Sequence, residues 1–376
     1  MRSITFWQNV PSIHQAPMIR ALADLVDAMQ VRVVTDAPLS EARAAQGWSV
    51  PDFGGAQLVV APALDDRSDL LDRFNTSDDA HVFSGFRAYP GVRTALVRLL
   101  RTEARLAVFA EAGRTDDGLR ALLRRLVYSA ELARYRNRVD VLLASGELGR
   151  AYFARAGFPT ERIRKFAYFT ELPCFTDHAS TATDSGAFSI AFVGAHIYRK
   201  RLDLLLGALH AGLESPWHLA IVGAGELTAE LKAHAAARLG NDRVTWLGTL
   251  PNVEMSPFLA CQDVLVLPSS FDGWGAVVNE ALAVGTPVIA SDACGASDLL
   301  VNGRIGDVFR SGDVRSLADA LRRRMTAGRV EPLDRTGRAE WAARAIGPRA
   351  GAQYLVDVLD RCDRPVPPWE EIEATW

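Results

Sequence analysis

Asp272 and Glu280 are separated by seven residues. Between them a glycine-flanked turn, Gly273-Trp274-Gly275, runs through Ala276 and Val277 into an apolar helical stretch. A turn that presents backbone N–H groups and feeds a helix N-terminus is a ready site for an anion. Ionised carboxylates only accept hydrogen bonds, and each can hold two hydroxyl donors. Hydroxyls, anion, hydroxyls is the layout of a nucleotide-sugar: ribose, diphosphate, sugar.

Upstream, FVGAHIYRKRLDLLLGAL (192–209) ends an apolar run at Val193-Gly194 and then presents Arg199, Lys200 and Arg201 ahead of a helix. Cations at the carboxyl end of a strand suit a diphosphate whose negative charge grows as it departs. LAIVGAGELTAEL (219–231) places Gly223 and Gly225 after a strand, with Glu226 leading the next helix. The third glycine of a dinucleotide fingerprint is replaced there by Thr228, so the loop is poor support for NAD. RVTWLGTL (243–250) is a strand closed by a glycine turn at Leu247-Gly248. The chain contains no D-x-D triplet of the kind that presents Mg²⁺ or Mn²⁺ to a donor. It also shows no Ser-His-Asp or Cys-His constellation, and no acid pair placed like a hydrolase's.

These groups need a scaffold that gathers strand ends. Apolar runs at 3–7, 31–35, 56–61, 81–84, 106–110 and 139–144 alternate with helical patterns, the first of them 17–29. That alternation predicts a parallel sheet covered by helices. Residues 173–187, PCFTDHASTATDSGA, have no apolar period and read as a linker and hinge. Strands then resume at 188–193, 218–222, 243–247, 264–267 and 287–290, with helices at 202–213, 226–239, 253–260 and 280–284. The expectation is an α/β protein of two Rossmann-like, doubly wound domains facing a central cleft, 1–172 and 187–349. A last helix at about 350–376 is expected near the domain junction.

Bulk properties agree with two ordinary globular domains: 376 residues, 49% hydrophobic, 23% charged. A net charge of −3 argues against a dedicated nucleic-acid binder. Cys174, Cys261, Cys294 and Cys362 are scattered, without metal-ligand spacing, which fits a reducing compartment. With no signal sequence and no run of about 18 apolar residues, a cytoplasmic protein is expected. Arg-rich helical patterns at 90–105 and 119–138 are candidates for peripheral contact with an anionic membrane, through the stripe Leu119, Leu122, Leu123, Leu126 and Val127. The alternative is that the stripe is buried and the arginines are solvated.

The segment 269–298 resembles the donor-binding signature of the retaining family 4 glycosyltransferases, a Glu, a Gly-Phe-Gly-like turn and a second Glu. Asp272 stands at the first Glu and Trp274 at the Phe. The stretch from 192 is similar to the family's V-G-R-x-x-x-x-K-G-x-D-x-L-L, with Lys200 and Asp203 in register and Ala195 where the Arg is expected. The resemblance implies a GT-B fold, with the last helix returning to the first domain, and a sugar moved from a nucleotide-diphosphate sugar to an acceptor hydroxyl with retention. No metal or other cofactor is implied, and no protein nucleophile, because a diphosphate oxygen takes the proton. Wording such as DGWG and SDACGA also resembles transferases that build bacterial exopolysaccharide or lipopolysaccharide.

Carried over by position, Lys200 holds the leaving diphosphate, Arg199 or Arg201 or a cation from the acceptor side replaces the missing Arg, Glu280 holds the ribose and Asp272 the transferred sugar. Gly194, Gly223, Gly225, Leu247 and Gly248 line the nucleotide, and Gly273, Trp274, Gly275, Ala276 and Val277 offer N–H groups. In the first domain His14 and Gln15, after the first strand, and Glu111 and Arg114, in FAEAGR, are candidate acceptor or sugar contacts. The acceptor is a saccharide, glycolipid or small molecule. Three rivals remain: a nucleotide-sugar 2-epimerase of the same architecture, an NAD dehydrogenase, and a catalytically silent binding protein, which the departures at Ala195 and Asp272 would suit.

Overall fold

The computed structural model describes residues 1–25, 29–39, 49–61, 65–114, 119–171, 186–213, 215–240, 242–360 and 364–374; at 65–67 and 119–125 the backbone alone is described. The expected linker and hinge at 173–187 lies almost wholly outside the described residues, as do Cys174 and Cys362. So do the side chains of Leu119, Leu122 and Leu123 in the Arg-rich stripe, whereas Leu126 and Val127 are exposed. No helix among the described residues is long and apolar enough to cross a membrane.

The chain divides into two compact units, Met1–Glu171 with Ile346–Glu371, and Leu172–Ala345 with Ile372–Trp376. The first is built from β1 (Ser3–Gln8), α1 (Ala16–Leu25), β2 (Gln30–Thr35), β3 (Gln57–Val60), α2 (Asp65–Arg73), β4 (Asp79–Ser84), α3 (Pro90–Leu99), β5 (Arg105–Ala110), α4 (Leu119–Ala133), β6 (Val141–Ser145), α5 (Gly146–Arg155) and β7 (Ile163–Phe166). Its seven strands lie in the order β3-β2-β1-β4-β5-β6-β7 and pair in parallel throughout. The strand order reverses between β1 and β4, and the crevice beyond the carboxyl ends of such a pair is where open α/β sheets take ligands.

The second unit runs β8 (Phe188–Val193), α6 (Leu202–His210), β9 (Trp217–Val222), α7 (Thr228–Leu239), β10 (Val244–Gly248), α8 (Asn252–Ala260), β11 (Val264–Leu267), α9 (Val277–Ala283), β12 (Val288–Ser291), β13 (Gly306–Phe309), α10 (Val314–Ala327) and α11 (Pro332–Ile346). Its sheet order is β10-β9-β8-β11-β12-β13, again all parallel, with the reversal between β8 and β11. Both faces of the central strands are covered, so β8 and β11 are buried at nearly every position, and their apolar runs, broken only by Ser189 in β8, follow from that.

α12 (Pro348–Leu359) and α13 (Pro368–Glu371) return to the first unit. α12 lies on α1, and Tyr354 donates its hydroxyl to the Lys165 carbonyl at 2.9 Å. The approach is close enough that a Cβ on Gly351 would fall 2.2 Å from Phe169 Cγ.

Two strands have no counterpart in the sequence reading, β7 and β13, and both are sheet edges. β7, IRKF, buries only its first and last residues, and β13, GDVF, has the same pattern. An edge strand exposed on one side and four residues long carries too little apolar signal to stand out. Helix starts also differ. α7 begins at Thr228, so Glu226 stands in the preceding loop and does not lead the helix. α9 begins at Val277, three residues before the expected Glu280.

Inside the first sheet, His81 is fully buried between Trp7 and Phe83. Trp7 Nε1 donates to His81 Nδ1 at 3.0 Å, and His81 Nε2 faces the Phe74 carbonyl at 2.6 Å. Nδ1 must therefore carry the lone pair and Nε2 the proton, which fixes one neutral tautomer. Burial pulls its pKa from 6.5 down to about 4. A depressed histidine leaves the unfolded chain as the better proton binder. Stability is thus full above the ordinary histidine pKa and falls between about pH 6.5 and 4, by roughly 3 kcal/mol from this group. Urea unfolding across that range should show the slope, and His81→Gln should flatten it.

Candidate functional site

The reversal between β8 and β11 sets two loops side by side. After β8 the chain passes Gly194 and makes a tight turn, Tyr198–Lys200, that carries Arg199 and Lys200. After β11 it passes Ser269 to Asp272. The loops are joined by Ser270 N–H donating to the Arg199 carbonyl at 2.8 Å. Lys200 Nζ donates to Asp272 Oδ2 at 2.5 Å, and Arg199 Nη1 donates to Asp272 Oδ1 at 3.1 Å and to the Phe271 carbonyl at 3.0 Å. Asp272 is buried, so one carboxylate carries two cations in a poorly solvated place.

Arg201 points elsewhere. It is the one positive-φ residue other than glycine among those described, at φ 51°, and its guanidinium grips Asp203 through three contacts of 3.0 to 3.1 Å. Of the two arginines considered as replacements at position 195, Arg199 is thus the one that shares a partner with Lys200. Ala195 itself is exposed, and His196 beside it is buried, its Nδ1 2.9 Å from Thr228 Oγ1 and its ring edge-on to Trp246.

The turn after Asp272 is braced from below. Asp272 N–H donates to the Ala293 carbonyl at 3.0 Å and its carbonyl accepts from Gly295 N–H at 3.0 Å. Trp274 is 2% exposed, and its indole Nε1 donates to Asn279 Oδ1 at 2.7 Å. Its side chain therefore anchors the turn in the core. Gly275 takes φ 100°, and a Cβ there would sit 2.7 Å from Leu267 Cδ2. The N–H groups of Ala276 and Val277, at the start of α9, have no acceptor among the described residues.

Glu280 lies one turn further along α9. It is half-buried, and its carboxylate has no hydrogen-bond or ion-pair partner among the described residues. Burial alone pushes its pKa above the ordinary carboxylate value. A partly desolvated carboxylate without a protein donor is suited to accept hydroxyls from a ligand.

The glycines on the neighbouring strand ends are required by the chain's own packing. At Gly223, φ 127°, a Cβ would fall 2.0 Å from the Gly194 carbonyl oxygen, and at Gly225 it would fall 2.5 Å from that of His196. The 194–196 loop thus rests on the 223–225 loop. Gly223 N–H also donates to the Gly248 carbonyl at 2.6 Å, which ties in the end of β10, where Leu247 is 40% exposed.

The first unit has its own cavity, about 450 Å³, at the carboxyl ends of β1, β4 and β5. His14, Gln15 and Glu111 line it, while Arg114 is exposed and is not among the lining residues. Glu111 accepts from the Tyr168 hydroxyl at 2.7 Å, Tyr168 meets the His14 ring edge-on at 5.7 Å, and Gln15 Oε1 accepts from Gln8 Nε2 at 2.8 Å. Burial, and then the Glu111 charge, push the Tyr168 phenol well above its ordinary pKa. Sequence reasoning missed Tyr168. It follows β7, and without that edge strand nothing placed KFAYF beside β5. Among the described residues no three His, Cys, Asp or Glu side chains are grouped to hold a metal ion.

Residues 175–339 match the family model described as glycosyl transferases group 1. The lipopolysaccharide core biosynthesis mannosyltransferase LpcC of Rhizobium leguminosarum bv. viciae is 29% identical over 159 residues, 38% of this chain and 45% of that protein. The D-rhamnosyltransferase WbpZ of Pseudomonas aeruginosa is 35% identical over 134 residues, 35% of this chain and 34% of that protein. The chain thus spans less than half the length of these curated relatives. Among solved structures, Anabaena Alr3699/HepE in complex with UDP superposes with a TM-score of 0.71 over 96% of this chain and 100% of that one, at 15% identity. WaaG, a glycosyltransferase involved in lipopolysaccharide biosynthesis, gives 0.56 over 96% and 100%, also at 15% identity. The match to glycosyl transferases group 1 thus falls on the second unit, and the two parallel α/β sheets are those of the GT-B fold.

Proposed function

We propose that the protein is a retaining glycosyltransferase, which moves a sugar from a nucleotide-diphosphate sugar to an acceptor hydroxyl in the assembly of a cell-surface polysaccharide or glycolipid. The observation that carries this reading is that the adjacent strands β8 and β11 bring two cations, Lys200 and Arg199, against the turn at Asp272 that leads into α9, the helix that carries the unpartnered carboxylate of Glu280. Lys200 and Arg199 take the diphosphate and stabilise the charge that develops as the glycosidic bond breaks. The N–H groups of Ala276 and Val277 add to that field. Glu280 accepts the ribose hydroxyls and fixes the nucleotide. The incoming hydroxyl passes its proton to the departing diphosphate oxygen, so no side chain is needed as nucleophile.

The charge at the leaving group is met by side chains in this scheme, and activity should survive EDTA. In the first unit, the Glu111–Tyr168 pair with His14 forms the acceptor-side surface.

A thermal-shift screen against UDP-, GDP-, ADP- and dTDP-sugars tests the proposal. One nucleotide should raise the melting temperature selectively, by mass action on the folded state. That donor should then be cleaved or transferred. No shift with any of them would count against the reading, and release of free nucleotide with an altered sugar, without acceptor, would favour an epimerase.

A further inference from the structure

We infer that Asp272 acts on the phosphate side of the site, as a resident counter-ion that positions Lys200 and Arg199 and gives them up to a diphosphate. The inference rests on the cation half of the function proposed above. A sugar-binding carboxylate keeps its oxygens open to hydroxyls. Here each oxygen is already aimed at a different cation, Oδ2 at Lys200 Nζ (2.5 Å) and Oδ1 at Arg199 Nη1 (3.1 Å), with Ser269 Oγ 3.4 Å from Oδ2. The side chain has little room to turn away. Its backbone is held on both sides by Ala293 and Gly295, through a bridge that pairs Asp272 with Cys294. The Lys200–Asp272 pair is shielded, with side-chain exposures of 15% and 13%, while Arg199 is more open at 35%.

Charge then sets selectivity. Lys200 and Arg199 alone would present two positive charges to any small anion. With Asp272 between them, an incoming anion must compete against a carboxylate already in place and at high effective concentration. A single phosphate competes poorly, whereas a diphosphate brings more charge and enough oxygens to serve both cations at once. Asp272 is in this sense a specificity-determining residue, favouring a diphosphate over the free phosphate that surrounds it.

Calorimetric titration with inorganic pyrophosphate and inorganic phosphate, neither of which carries a sugar, separates this role from sugar binding. Asp272→Asn should bind both at least tenfold more tightly than the wild type, with the larger gain for phosphate and a steeper dependence on salt. Lys200→Ala added to it should abolish the gain. Asp272→Glu keeps the charge and should stay within about threefold of the wild type for phosphate, which also guards against misreading an unfolded Asn variant. Unchanged or weaker binding in Asp272→Asn, or no pyrophosphate binding by either protein, would overturn the inference. If these shifts appear but no nucleotide-sugar is bound or turned over, the anion site stands and the glycosyltransferase reading falls.

Discussion

Lys200→Ala is expected to lower sugar transfer by about 10²- to 10³-fold, most of it in kcat, as when one preorganised donor to a developing negative charge is removed. The loss falls on kcat because the diphosphate carries more charge while departing than while bound. The same substitution has a second consequence in the protein without ligand. Asp272 keeps Arg199 but loses its nearer partner, and a buried carboxylate stripped of a cation destabilises a fold by a few kcal/mol. Steady-state kinetics with the preferred donor, below the melting temperature of the variant, will separate the two effects. A variant that melts early but transfers at the wild-type rate would remove Lys200 from the mechanism.

Glu280→Gln should show the reverse combination, a weaker site in a more stable protein. Replacing an ionised acceptor of two ribose hydroxyls by a neutral amide should weaken nucleoside diphosphate binding by about 10- to 100-fold. Stability moves the other way because burial raises the Glu280 pKa in the folded state. A carboxyl with a raised folded pKa contributes most below its unfolded pKa and loses that contribution as pH rises through the folded one. At neutral pH the wild type therefore bears an unpartnered, partly desolvated charge, and the glutamine variant should melt higher. The wild-type affinity should also decline on acidification below neutral pH, toward the ordinary carboxylate range, while that of the variant stays flat. Calorimetry and thermal melts on the two proteins at two pH values check all three outcomes. A glutamine variant that melts lower would mean that Glu280 has a structural partner after all.

The parts of this molecule legible in the sequence are those that depend on local pattern. The runs at β8, β9 and β11 read as strands because strands buried on both faces are apolar at nearly every position. The loops after them carry residue types that the resemblance could place in register, Lys200 and Asp272 among them. What stayed hidden depends on which strands become neighbours. Lys200 and Asp272 are 72 residues apart and meet because β8 lies next to β11. No pattern in the chain states that adjacency, so Asp272 reads as a free acid when it is a paired one. Glu280 reads as one acid on a short helix, and only packing around α9 reveals its desolvation. The same holds for Gly223 and Gly225. Their types were visible, but the contacts that exclude a Cβ come from the 194–196 loop.

The return of α12 to the first unit has a consequence for synthesis. Gly351 lets this helix lie against Phe169, and Tyr354 stacks on Phe166 while holding the Lys165 carbonyl. The first unit is thus discontinuous in the chain, completed by a helix that is translated only after the sheet of the second unit. On the ribosome, the second unit can finish its sheet while the first still lacks a wall. Until then the apolar side of Phe166 and Phe169 is bare, and a chain stalled or cleaved before residue 346 would present it to chaperones and proteases.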